Sequence, residues 1–227
     1  MKQEGNQAPH VNYISRKSKG VHFSTDGDDS AEEVINVNSK ILSKKSNMFF
    51  KLFNEMKSEP EAQSLTIQIE ASEEEAFSGL LEFIYFSTMS PSSYTEIVNL
   101  LMISDEFQAF SCAEVCIRLL EMKIEWALSC CELSARVHEL YLRELLIKVE
   151  KEQKSKICSD IMSHKDELLQ LSFDKIEALF CVDTLKVESE DVVYDFIRAW
   201  AQNHYPNTET AALLRNCTLN ASFASLT

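Results

Sequence analysis

The sequence predicts an α+β protein in which a small sheet flanked by helices precedes an all-helical domain. Three observations favour this class. The 227 residues include 4 Gly and 4 Pro, little material for tight turns between strands. Short apolar segments with period two lie before residue 70 and predict a few strands. From Ile124 onward, apolar residues recur at steps of three and four, as on the buried face of a helix.

Charge and hydropathy limit the classes of partner. The chain has 22 Lys+Arg against 36 Asp+Glu, a net charge of −14, which opposes binding to nucleic acid and to anionic membranes. Residues 1–12 lack the apolar stretch of a signal peptide, and the apolar run 178–182 is too short to span a bilayer. With an odd number of cysteines, seven, we expect reduced thiols and a location in the nucleus or cytoplasm.

Three segments divide the chain. Residues 1–18 are polar and predict a disordered lead, whose basic cluster is either a weak nuclear signal or a solvated tail. Residues 19–123 mix strand and helix patterns and predict the first domain. Residues 124–227 predict an all-helical second domain.

The first domain begins with a predicted hairpin. Val21–Phe23 and Val34–Val37 are apolar segments joined across an acidic turn at residues 26–29, and Leu65–Ile69 alternates as a third strand. The apolar residues between positions 41 and 53 predict two consecutive helices. The domain therefore consists of three or four strands with helices around them.

Three helix starts carry capping signals. Ser72 with Glu75, and Ser93 with Glu96, have the spacing of a capping box. Ser189 precedes a third helix. Its predicted inner face comprises Val192, Val193, Phe196, Ile197 and Trp200.

Helical spacing also organises the start of the second domain. A stripe with steps of three and four predicts one buried face, while the charged run 148–156 predicts a solvated helix end. The stripe consists of Trp126, Leu128, Leu133, Val137, Leu140, Tyr141, Leu145 and Val149.

Several of these segments resemble a known pair of domains. Residues 41–56 and 80–85 resemble a BTB/POZ domain, and residues 104–120 resemble its closing helices. Residues 179–200 resemble the BACK domain that follows BTB in many adaptors. The order and spacing are similar to those of the plant BTB-BACK group that includes the light-response BTB proteins.

The resemblance implies a function without chemistry in the chain itself. Such proteins pair as BTB homodimers or heterodimers and hold a cullin scaffold of the third type, so that a RING ubiquitin ligase reaches a bound protein substrate. The resemblance thus implies a substrate adaptor with no cofactor and an unidentified substrate. An alternative is a BTB dimerisation protein that modulates full-length relatives without ligase activity.

The resemblance also points to a cullin-binding surface. Met56 stands where the family places a methionine against the cullin, and Phe50 and Phe53 precede it on the same predicted helix. Tyr85 is either part of that surface or buried. The alternative for Met56 is a core or loop methionine.

The dimer interface implied by the family rests on the first hairpin. Lys45 matches a basic residue beneath the interface, where it would face Asp26 or Asp28 of the first strand region, and Val21 and Phe23 would form the hairpin. Two departures put this interface in question. Residues 29–33 are too acidic to pack as a strand, and Asn36 replaces the family's histidine.

The carboxyl end departs from the family as well. After Leu213 and Leu214 the chain offers little apolar sequence, which predicts a shortened BACK domain. Part of the face around Phe196 and Trp200 is then expected to be exposed.

Enzyme motifs are weak. Gly-rich phosphate loops, Cys-x-x-Cys pairs and Gly-x-Ser-x-Gly do not occur. His138 begins a zinc-protease pattern, but Leu142 stands where the second His must lie. Cys112 and Cys116, one helical turn apart, are either half of a zinc site or two buried thiols, and the sequence favours buried thiols.

Overall fold

A computed structural model describes residues 19–25, 32–58, 64–180 and 189–205. The chain divides into two compact units, residues 1–113 and 114–227. The predicted lead 1–18 and the acidic turn 26–29 lie outside the described residues.

The first unit contains a three-stranded sheet. Strand β1 (Lys19–Thr25) is central, antiparallel to β2 (Glu32–Val37) and parallel to β3 (Ser64–Ile69). In this register Val21 lies opposite Ile35 of β2. The hairpin of β1 and β2 is therefore present, as the alternating segments predict.

Strand β2 begins earlier than its charge suggests. Glu32 and Glu33 belong to β2 and lie opposite Ser24 and Phe23 of β1. The prediction that residues 29–33 cannot pack as a strand is thus wrong for its last two residues. In the described sheet β2 pairs on one side, and charged residues are tolerated on an edge strand because part of it faces water.

Helices make up the rest of the first unit. They are α1 (Ser39–Lys45), α2 (Asn47–Ser58), α3 (Glu74–Phe86) and α4 (Tyr94–Glu106), and α5 (Phe110–Glu121) begins there and runs into the second unit. Four rings form a chain in this core: the ring centroids of Phe49 and Phe53 are 6.0 Å apart, those of Phe49 and Phe107 5.3 Å, and those of Phe77 and Phe107 5.1 Å.

Every described element of the second unit is helical. After α5 come α6 (Ile124–Ala127), α7 (Cys130–Ser134), α8 (Leu140–Ser159), a 3-10 turn (Met162–His164), α9 (Lys165–Leu168), α10 (Phe173–Phe180) and α11 (Glu190–His204). Residues from α6, α8, α10 and α11 pack in one buried cluster, which includes Ile124, Ile157, Leu179 and Phe196.

The α+β class predicted from the sequence is wrong for the chain as a whole. Of the described residues that do not belong to a strand, 76% are helical. Helix α8 alone has 20 residues, more than the strands of 7, 6 and 6 residues together. The period-two segments do form strands, but these strands are too few and too short to make the protein α+β. The described fold is predominantly α-helical.

Two of the three capping signals behave as predicted. The Ser93 hydroxyl accepts a hydrogen bond from the Glu96 N–H, and the Ser189 hydroxyl accepts one from the Asp191 N–H. Ser72 does not cap α3: the residue before this helix is Glu73, which makes no side-chain cap bond. The Ser72 hydroxyl donates to the Glu70 carboxylate instead, at 3.4 Å.

Among the described helices, none is both long enough and apolar enough to cross a membrane.

Candidate functional site

Helix α2 has an inner and an outer face. Phe49, Phe53 and Met56 follow one another at steps of four and three, and they are 0%, 2% and 8% exposed. Phe50, next to Phe49 in the chain, points away from this row and is 54% exposed. The helical period thus places Phe50 on a different face from Phe53 and Met56, although all three are predicted to bind the cullin.

The four predicted cullin-binding residues differ in exposure. Met56 and Phe53 are buried, so Met56 has the environment of the alternative, a core methionine. Tyr85 is half-buried, and its hydroxyl accepts a hydrogen bond from the Asn38 N–H at 2.7 Å. Burial raises the pKa of Tyr85, and this hydrogen bond opposes the rise. Phe50 is the one candidate of the four that presents a large apolar surface.

The start of α2 is tied to the end of α4. The Ser46 hydroxyl donates to the Phe107 carbonyl oxygen at 2.5 Å and accepts from the Phe49 N–H at 3.1 Å. The side chain of Gln108 accepts from Lys51 Nζ at 3.2 Å, on the outer face beside Phe50. The two Ser46 bonds join the backbone at the start of α2, next to Phe50, to the residue that follows α4.

Of the three residues predicted to lie in the dimer interface, only Lys45 has a described side chain. Lys45 is half-buried, and its Nζ lies 3.5 Å from the Ser87 hydroxyl oxygen. The backbones of Val21 and Phe23 lie in the central strand β1, while their side chains are outside the described residues. The predicted acidic partners of Lys45 in the turn 26–29 also lie outside the description. The role of these residues in a dimer therefore stays a prediction.

An acidic groove lies in the first unit. It has a volume of about 590 Å³ and lies between α3, the start of α4 and the loop Ser87–Ser93 that joins these helices. Its lining includes the carboxylates of Glu74, Glu75, Glu82 and Glu96. A surface of this charge does not suit an anionic ligand.

Helix α8 exposes apolar side chains in the second unit. Leu140 is 65% exposed, Tyr141 49% and Ile147 47%. The Tyr141 hydroxyl donates to the Glu114 carboxylate at 3.2 Å, and the negative charge of Glu114 raises the pKa of Tyr141. The predicted buried stripe is wrong at Leu140 and Tyr141, because α8 buries Leu142 and Leu146 instead, and it is right at Val149, which is buried.

The face around Phe196 and Trp200 is not exposed. Phe196 is 1% and Trp200 3% exposed, so the predicted open face of the second domain is wrong. The Phe180 ring packs on Phe196 at 5.9 Å between centroids, and the Phe173 ring packs on Trp200 at 6.1 Å. Helix α10, which precedes α11 in the chain, therefore covers part of this face.

Four of the five described thiols are buried, and the fifth, Cys131, is exposed. Burial, together with the negative charge of Glu150, raises the pKa of Cys130 to about 12. Burial raises the pKa of Cys158 to about 11. Cys112 and Cys116 are fully buried in α5. Within the described parts of the chain, His, Cys, Asp and Glu side chains do not form a group of three able to hold a metal ion.

Comparison with protein-family models matches both predicted domains. A BTB/POZ domain is found at residues 27–124 and a BACK domain (BTB And C-terminal Kelch) at residues 130–221. Two BTB/POZ domain-containing proteins of Arabidopsis thaliana are 34% and 32% identical to the chain over 178 residues, 77% and 75% of its length. Kelch-like protein 7 of Homo sapiens is 26% identical over 157 residues, 66% of the chain and 25% of that protein.

The order of these domains defines a protein-interaction adaptor. The chain belongs to the BTB-BACK proteins, and its Arabidopsis relatives support membership of the plant group, as the sequence predicts. Members of this family are typically non-enzymatic adaptors. The chain spans about a third of the length of the plant relatives, 32% and 33%.

Proposed function

We propose that the protein is a substrate adaptor of a ubiquitin ligase built on a cullin of the third type. In this role it holds the cullin through its BTB domain, pairs with a second BTB chain and presents a protein substrate to the ligase. The succession of a BTB and a BACK domain in one chain carries the proposal. The proposal needs no reaction in the chain, because bringing two partners together raises their effective concentration.

The outer face of α2 is the proposed cullin-binding surface. Phe50 is a large aromatic side chain that is 54% exposed, and interface energy concentrates in such residues. The Ser46 hydroxyl holds the backbone at the start of α2 through its bonds to Phe107 and Phe49, so less conformational freedom is lost on binding. Met56 lies on the opposite, inner face of α2, in the core of the first unit.

A binding assay with the amino-terminal domain of the cullin tests the proposal. We expect Phe50→Ala to weaken binding about 5- to 30-fold, the effect of losing 1–2 kcal/mol at an interface anchor, while the thermal midpoint stays unchanged. Tyr194→Ala is the matched control, because Tyr194 is an exposed aromatic residue (45%) on α11. Met56→Ala is expected to lower the stability first and the affinity only through it.

Two results would contradict the proposal. Absence of binding by the folded wild-type chain would remove the adaptor function, and equal binding by Phe50→Ala and wild type would move the surface away from α2. A chain that forms dimers without binding cullin would favour the alternative, a BTB dimerisation protein. Light scattering decides this part: the dimer should have a mass of about 52 kDa, twice the 25.9 kDa of the chain.

A further inference from the structure

We propose that Ser90 is a phosphorylation site for a proline-directed protein kinase. Ser90 is exposed and stands directly before Pro91 in the loop between α3 and α4. In the whole 227-residue sequence this is the one place where a Ser or Thr precedes a Pro. The site is independent of the proposed cullin-binding surface on α2.

The loop is anchored at both ends and free in the middle. At its start, Ser87 adopts a left-handed conformation (φ 56°), and its N–H donates to the Phe83 carbonyl oxygen at 2.7 Å. At its end, Ser93 caps α4. Between them, Thr88–Pro91 makes no backbone hydrogen bond to any other described residue. The segment can therefore extend into a kinase cleft without breaking such bonds.

Pro91 supplies the selectivity. Proline has no backbone N–H, so a cleft that offers no acceptor at the position after the target serine accepts proline and leaves no buried donor unpaired. Any other residue there would lose a hydrogen bond to water on binding. Pro91 is half-buried, and the Ser90 side chain beside it is exposed.

The reaction is an ordinary phosphoryl transfer from ATP bound with Mg²⁺ in the kinase. The Ser90 oxygen forms a bond to the γ-phosphorus, and the bond between that phosphorus and the oxygen bridging to the β-phosphate breaks. The hydroxyl proton passes to the catalytic base of the kinase, and ADP leaves.

The phosphate would change the charge of the acidic groove. Ser90 and Pro91 line this groove together with Glu82 and Glu96. A phosphoserine adds about 1.5 to 2 negative charges at neutral pH. The modification thus strengthens the charge of one wall of the first unit without touching the core.

The test uses the full chain, a recombinant proline-directed kinase of the mitogen-activated class and Mg²⁺-ATP. We expect mass spectrometry to find one phosphoryl group, located on Ser90 by fragmentation. Pro91→Ala should slow incorporation by about tenfold or more, because the selective contact is lost. Thr88→Ala, which changes another exposed hydroxyl of the same loop, should react like the wild type.

A second variant keeps the proposal open to refutation. Ser90→Ala should take up no phosphate, and circular dichroism should show that it remains folded. Phosphate incorporated into Ser90→Ala, or an unmodified wild-type chain after complete reaction of a control substrate, would overturn the proposal. Equal rates for wild type and a folded Pro91→Ala would overturn the role of Pro91 and with it the kinase class.

Discussion

The Trp200 indole N–H donates a hydrogen bond to the Leu171 carbonyl oxygen at 2.9 Å, across 29 positions of the chain. The same end of α11 is tied to Leu169, whose carbonyl oxygen accepts from the Asn203 side chain at 3.2 Å and lies 2.8 Å from His204 Nε2. The His204 ring also stacks on Trp200 at 4.5 Å. The carboxyl end of α11 is therefore held against the segment before α10, while α10 itself packs on Phe196 and Trp200.

Fluorescence of Trp200 checks this closure. Trp126→Phe leaves Trp200 as the single tryptophan, and with 3% exposure its emission should be blue-shifted and protected from acrylamide. The protection should disappear in urea, which supplies the unfolded reference. Emission of the folded variant at the wavelength of a water-exposed indole would show that the closed arrangement of α11 is wrong.

Two neighbouring phenylalanines should differ strongly in their effect on stability. Phe49→Ala empties a fully buried position against Phe53 and Phe107, so the free energy of unfolding should fall by about 3–5 kcal/mol. Phe50→Ala removes a side chain that is 54% exposed and should change it by about 0.5 kcal/mol or less. Urea unfolding measures both, and similar losses would contradict the division of α2 into inner and outer faces.

The sequence predicts the apolar face well within one continuous helix and poorly where non-helical residues separate two helices. In α11 the spacing from Ser189 correctly places Val193, Phe196 and Trp200 on one face, because one uninterrupted helix follows the cap, although the expected exposure of part of that face is wrong. The predicted stripe runs from Trp126 through Val137 into α8 at one continuous spacing, but residues 137–139 are not helical and α8 begins at Leu140. The helical phase restarts there, so Leu142 rather than Tyr141 faces inward.

The predicted cullin-binding site also shows which features the sequence can and cannot predict. The resemblance places Phe50, Phe53 and Met56 on one helix, and a count at 3.6 residues per turn would have assigned Phe53 and Met56 to the face of Phe49. What the sequence does not reveal is the cover of Trp200, since it comes from residues about 30 positions earlier. Such long-range contacts have no local signal.

The cap of α4 gives a prediction on pH. The Glu96 carboxylate accepts hydrogen bonds from the Ser92 N–H and from the Ser93 and Ser92 hydroxyls, and these bonds lower the pKa of Glu96 below its usual value of 4.5. A lowered carboxyl pKa stabilises the fold above the unfolded value, and this contribution disappears as the pH falls through the folded value.

Comparing the wild type with Glu96→Gln isolates that contribution. The wild type should be the more stable of the two at neutral pH, and the difference should shrink as the pH falls below about 4.5. Chemical unfolding at a series of pH values measures it. Ser93→Ala, which removes the acceptor of the Glu96 N–H, should lower the stability by about 1 kcal/mol at neutral pH. A difference that grows on acidification would contradict the hydrogen-bonded cap.

Two ion pairs of the same spacing on α8 should differ in their contribution to the free energy of unfolding. Glu150 is a buried acid (7% exposed): its carboxylate accepts from the Cys131 N–H at 2.6 Å and lies 2.7 Å from Lys154 Nζ. Lys148 and Glu152 form the other pair, at 3.8 Å with side chains 66% and 52% exposed. Both pairs span four residues of one helix, so burial is the main difference between them.

Glu150→Ala should lower the free energy of unfolding by about 3–5 kcal/mol, because it leaves the Lys154 ammonium and the Cys131 N–H without their acceptor in a largely buried place. Glu152→Ala, the control, should lower it by about 1 kcal/mol or less, since water screens the exposed pair. Adding salt should weaken the small effect of Glu152→Ala and leave most of the effect of Glu150→Ala. Comparable losses in urea unfolding would mean that Glu150 is solvated, and that α7 and α8 are not joined through its carboxylate.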